Sequence, residues 1–194
     1  MATAKVSLDE ILGLERYERE RNDFRARIIA HKKHRRVAVG DQVTFVFENH
    51  DTMLFQIQEM LRAERIVDLD RVRDELEVYN FLVPDPEQLS ATLLIEITDS
   101  ERIRDELIRF LGIDECVSLQ IGHRYQIAAQ FEPGRSKDDK LSAVQYVRFE
   151  FTSDQRQAFL AGAEPTRLVI EHPNYRHATQ IDGAVLASLQ RDLA

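Results

Sequence analysis

The sequence predicts an α+β protein: a mixed or mainly antiparallel sheet with helices packed on it and a long N-terminal helix. Three observations predict it. Capping boxes formed by Ser7 with Glu10, Thr98 with Glu101 and Thr152 with Gln155 open helical stretches. Runs of strand-forming residues come in pairs around Gly40-Asp41-Gln42 and Gly122-His123, the pattern of hairpins. The regular strand–helix alternation of a doubly wound fold is missing.

Taken in order, a helix is expected over residues 7–33, bent near Asn22 and Asp23, with alternating acids and arginines from Glu15 to Arg27 that suit a solvated face. Strands follow over 37–39 and 43–47, then helices over 52–66 and 68–79, and a loop marked by Pro84 and Pro86. A strand over 92–97 leads into a helix that runs to Phe110 and stops at Gly112. Paired strands are expected over 116–121 and 125–131. A polar connection with Pro133-Gly134 then extends to Lys140. The remainder reads as a strand over 144–151, a helix over 152–161, a short strand over 167–171 and a last helix from Gly183. At 194 residues the chain suits one domain, with residues 1–36 as a helical arm if they stand apart.

Composition narrows the function. Hydrophobic residues make up 43% and charged residues 31%, a globular rather than a disordered profile. A net charge of −8 argues against nucleic acid or an anionic membrane as the general partner, while leaving room for a local basic patch. The single cysteine, Cys116, excludes an intrachain disulfide and a cluster of thiolate ligands, which suits a reducing cytoplasm. The opening residues lack the apolar run of a secretory leader, and no stretch approaches the ~20 apolar residues that span a bilayer. Phosphate-loop, dinucleotide-binding, zinc-protease and nucleophile-elbow motifs are all missing. No cofactor is expected.

Several residues look out of place for simple packing. On a helix over 52–66, Met53, Leu54, Ile57, Met60 and Leu61 define one apolar face, and Glu64 projects into its middle, with Gln56 at the border. A carboxylate there needs a cation, a metal or a proton; Arg148, Arg27 and His31 are the partners to expect. Glu59 and Arg62 fall on the outer face as a surface pair.

The run His31-Lys32-Lys33-His34-Arg35-Arg36 is the most basic segment and falls where the first helix ends, a position that favours cations. His31 and His34 have metal-ligand spacing, but the four neighbouring cations suit a small anion or an acidic partner better than a divalent metal. His31 also continues the stripe Tyr17, Phe24, Ile28, so it reads more simply as a packed core histidine. His172-Pro173-Asn174-Tyr175-Arg176-His177 reads as a loop of site-lining composition. Glu96 and Arg148 are expected to pair across neighbouring strands, and Cys116 to be a buried thiol rather than a nucleophile.

Several stretches together resemble a bacterial family known only as domain of unknown function 3501. They are Arg25-Ala26-Arg27 with His31-Lys32, Phe47-Glu48, the segment QIQEMLRAER from Gln56 to Arg65, Tyr79-Asn80 with Pro84, Ala91-Thr92-Leu93, Ser142-Ala143-Val144, Arg148-Phe149 and His172-Pro173. The resemblance covers nearly the whole chain. It implies histidine where this chain has Gln145, a departure that argues against a metal or acid–base role there. It also implies a genetic setting near rubrerythrin-like and iron–sulfur oxidoreductases.

The leading reading is therefore an accessory or binding protein of a redox or peroxide-defence system in the cytoplasm. It would recognise an anion or acidic partner through His31, Lys32, His34, Arg35 and Arg36, with a buried polar site drawn from Gln56, Glu64, Arg148, His172, Tyr175 and His177. The rival is a non-haem iron or zinc enzyme with a carboxylate–histidine site taken from Glu64, Glu59, His31, His172 and His177. A homo-oligomeric scaffold is a third reading. The residues themselves leave open whether the protein is an enzyme.

Overall fold

The architecture comes from a computed structural model that describes residues 4–132, 136–137 and 140–194. The helices are α1 (Leu14–Lys32), α2 (His50–Ala63), α3 (Leu69–Asn80), α4 (Ile103–Arg109), α5 (Ser153–Ala161) and α6 (Gly183–Leu193). The strands are β1 (Arg36–Val39), β2 (Val43–Glu48), β3 (Gln88–Ile95), β4 (Val117–Ile121), β5 (Tyr125–Ala128), β6 (Gln130–Phe131), β7 (Ser136–Lys137), β8 (Lys140–Leu141), β9 (Val144–Glu150), β10 (Thr166–His172) and β11 (Tyr175–Ile181). An α+β fold with antiparallel sheets is what the sequence predicts.

One sheet has the order β1-β2-β3-β9-β6, a second the order β11-β10-β4-β5, and β7 and β8 pair separately. The two larger sheets face each other across one core. Alternation sends Val43, Phe45 and Phe47 inward from β2, Leu89, Ala91 and Leu93 from β3, and Leu119, Leu168 and Ile170 from the facing sheet. At one side the chain passes from sheet to sheet through Ala129, between β5 and β6, whose N–H still bonds Val117 O at 3.0 Å. On the opposite side, β1 meets β11 through side chains: the Tyr175 hydroxyl donates to Val39 O at 2.7 Å and the Thr179 hydroxyl to Ala38 O at 2.8 Å. The result is a nearly closed barrel, into whose core α5 and α6 insert Phe159, Leu189 and Leu193.

Helices α1 to α3 form a second layer with its own core of Met53, Ile57, Leu61, Ile66, Val72, Leu76 and Val83, against which Tyr146 of β9 packs. The buried Tyr17 of α1 donates to Glu59 Oε1 at 2.8 Å, while Arg21 grips the same carboxylate at 2.7 and 2.6 Å. Arg62 pairs with Glu18 at 2.7 Å. The expected surface pair of Glu59 with Arg62 is thus replaced by two bridges between α1 and α2.

Several expected elements differ. The Ser7–Glu10 capping box is present but closes only a 3-10 turn, Leu8–Glu10. Helix α1 starts after Gly13, because the backbone of Leu12 is bonded to Gln58 on both its N–H and its C=O. Asp99 rather than Thr98 opens the α4 region, accepting from Glu101 N at 3.0 Å. The segment after His172 is not an open loop: Pro173 and Asn174 turn tightly into β11, which the sequence reading missed. Pro133 and Gly134 lie outside the described residues.

Candidate functional site

The basic run occupies the turn from α1 into β1. His34 N and Arg35 N bond back to His31 O and Lys32 O at 3.1 Å each, closing the helix. The chain then enters the sheet, where Phe47 N bonds Arg35 O at 2.8 Å. Pleating at this point sends Arg35 inward and Arg36 outward.

Arg35 is 0% exposed. Its Nε donates to Phe47 O at 2.7 Å, Nη1 to Ser188 Oγ at 3.2 Å, and Nη2 to Glu48 O at 3.1 Å and to the Asp192 carboxylate. The guanidinium therefore ties the turn to both β2 and α6. This corrects the expectation that Arg35 belongs to a surface patch. A charge can be buried so completely only because its N–H groups meet acceptors and an opposite charge.

The cluster continues outward. Asn49 caps α2 with its Oδ1, which accepts from Thr52 N at 3.2 Å, and this orientation turns its amide nitrogen toward Asp192 Oδ1 and His31 Nε2, both at 3.3 Å. His31 Nε2 is then the acceptor, which puts the ring proton on Nδ1. Burial, reinforced by the Arg35 charge, holds His31 below its ordinary pKa. The histidine is neutral and half-buried, and lines a groove of about 420 Å³ with Phe24, Arg27, Asp51 and Leu54. Beside it, buried Glu48 accepts from Thr92 Oγ1 at 2.9 Å, while its other oxygen lies 3.9 Å from Lys32 Nζ.

What remains on the surface is smaller than the sequence run. Lys33 and His34 are exposed, Lys32 is half-buried and leans toward Glu48, and Arg36 is exposed and paired with Glu96. Arg36 takes the place expected of Arg148 as the partner of Glu96. Arg148 instead lies 3.9 Å over the Phe81 ring and donates to Phe81 O.

The other expected site residues are not brought together. Glu64 is exposed and 3.7 Å from Arg71, because α2 ends at Ala63 and Arg65 turns the chain with φ 53°. The helical projection that placed it in the core does not extend that far. Gln56 is half-buried and reaches the Tyr79 hydroxyl. His172 is buried, with one ring nitrogen 2.8 Å from Leu111 O and the other accepting from Asn174 N at 3.2 Å. The Tyr175 hydroxyl, which donates to Val39 O, also accepts from Gln42 N at 2.9 Å. His177 packs on Tyr175 with ring centres 4.4 Å apart. Both rings lie against Gly40, where a Cβ would overlap them and where φ is +73°. Cys116 is half-buried, and burial raises its thiol pKa, as expected of an unreactive cysteine.

Among the described residues no group of three or more His, Cys, Asp or Glu side chains is placed to hold a metal ion. No helix among them is long and apolar enough to cross a membrane. Ser188, Asp192 and Asn49 are the members of the cluster that the sequence reading passed over. Asp192 was findable, as a lone acid on the apolar stripe of α6 beside Leu189 and Leu193.

Comparison with known proteins agrees with the fold. Residues 5–193 match the family described as Protein of unknown function (DUF3501). A crystal structure of a protein of unknown function from Burkholderia pseudomallei K96243 superposes with a TM-score of 0.92 at 37% identity, covering 98% of this chain and 100% of that one. None of the curated proteins matches.

Proposed function

The chain belongs to the DUF3501 family, and for it we propose a binding role rather than a catalytic one: docking of an acidic partner protein on the turn after α1, through Lys33, His34 and Arg36 with Lys32 at the margin. The observation that supports this reading is the division of labour within the turn. Buried Arg35 fixes the backbone from inside, so the exposed cations are presented at a set geometry on a chain whose net charge is −8. The partner in this reading is an acidic protein of a cytoplasmic redox or peroxide-defence system, in keeping with the genetic setting that the resemblance implies.

The test uses an oligoglutamate peptide as an acidic probe at low ionic strength. Wild-type protein should bind it and release it as salt screens the interaction. Lys33→Glu combined with Arg36→Glu should abolish binding without loss of fold. Salt-independent binding, or binding unchanged by the double reversal, would refute the reading.

A further inference from the structure

Helix α1 presents Phe24, Arg27, Ile28 and His31 to the groove of about 420 Å³, and Leu54 of α2 lines it opposite them. The spacing 24, 27, 28 and 31 is one face of a helix over two turns. Phe24 is fixed by edge contacts to Tyr17 and Phe55, with ring centres 6.1 and 5.6 Å away. The Arg27 guanidinium lies over the Phe24 ring, 5.4 Å from its centre, so the cation is held at the groove wall. The groove is of the size and character of a small-molecule site: apolar walls with a few polar groups.

The polar groups divide sharply. Each carboxylate that lines the groove is already engaged. Glu10 accepts from Ser7 N at 2.8 Å and meets His50 Nε2 at 2.9 Å, Asp51 meets His50 Nδ1 at 3.2 Å, and Glu20 accepts from Arg16 at 2.8 Å. Two donors are left over. With His31 Nε2 taken by Asn49, the Nδ1–H has no acceptor among the described residues. Nor has the Arg27 guanidinium, which sits one helical turn away.

From this we infer that the groove binds a small monocarboxylate with an aromatic or branched apolar body. Arg27 supplies the opposite charge, His31 Nδ1–H donates to a carboxylate oxygen, and the body rests on Phe24, Ile28 and Leu54. A small amine is the competing ligand chemistry, but the carboxylates that would hold it have partners. None of these residues belongs to the surface proposed for the acidic partner, and the site does not depend on that reading.

The test titrates benzoate, benzamide and benzylamine into the full-length protein at physiological ionic strength, followed by the imidazole nitrogen resonances of His31. Benzoate should bind saturably and shift Nδ1, benzamide should bind more weakly, and benzylamine should not compete. Arg27→Gln, at an exposed position that leaves the fold intact, should weaken benzoate about 10- to 100-fold, the loss expected for a hydrogen bond to a charged group. His31→Gln retains a polar group near Nε2 but loses the Nδ1 donor, whereas His31→Asn places an amide nitrogen near Nδ1. Affinity measured by calorimetry should therefore fall further in His31→Gln than in His31→Asn. Lys33→Glu combined with Arg36→Glu should leave benzoate binding unchanged, which separates this site from the basic turn. No saturable binding of benzoate, equal or tighter binding of benzylamine, affinity unchanged by Arg27→Gln, or equal loss in the two histidine variants would each overturn the proposal.

Discussion

Arg35 and Arg36 are adjacent in the chain and end in opposite environments. The side chain of Arg35 is 0% exposed and bonds two backbone carbonyls, Ser188 and Asp192, whereas that of Arg36 is 53% exposed and holds Glu96 alone. Strand alternation explains the direction of each side chain, but not the burial. Burial needs acceptors, and α6 supplies them by setting Ser188 and Asp192 one turn apart on the face that docks here. One basic run thus serves as scaffold on its inner side, and its outer side is the surface we propose for the partner.

The contrast is broken most severely by Asp192→Ala. It strands the Arg35 charge in the interior and should cost about 3–5 kcal/mol in urea unfolding. Tyr175→Phe extends the idea to another buried polar group. It leaves Val39 O and Gln42 N without the hydroxyl that joins the two sheets, for an expected loss of about 1–3 kcal/mol. Ser188→Ala removes one neutral acceptor from Arg35 and should cost roughly 1 kcal/mol.

His31 gives a pH signature. Its pKa in the folded protein is depressed below 6.5, so the unfolded chain takes up the proton more readily. The stability it contributes is present above that value and is lost as pH falls through the window beneath it. Urea midpoints measured on either side of pH 6.5 should therefore drop less for His31→Gln than for wild type. Smallest of all, Arg36→Ala should change stability by only about 0–1 kcal/mol, as expected of an exposed pair.

Much of the fold was legible because hairpin turns and caps are local. The Gly40 turn, the Thr152 cap and the helix from Gly183 appear where the sequence puts them. Strand β11 was not legible, because its Arg176, His177, Thr179 and Gln180 resemble a polar loop and gain strand pairing only from β10. Glu64 and Asp192 show the same limit at the site. Both are acids projected onto an apolar helical face. Helix α2 ends before Glu64 reaches any core, whereas the last turn of α6 docks against Arg35. Periodicity locates a face, and tertiary docking decides how far along the helix that face is covered.

The division between scaffold and surface is tested most directly by titrating the oligoglutamate probe into Arg35→Gln and Lys33→Gln proteins whose urea unfolding is measured in parallel. Lys33→Gln should keep wild-type stability and lose affinity. Arg35→Gln should lose several kcal/mol of stability, in line with a broken buried pair. If Lys33→Gln binds the probe as wild type does, or if Arg35→Gln proves as stable as wild type, the account is contradicted.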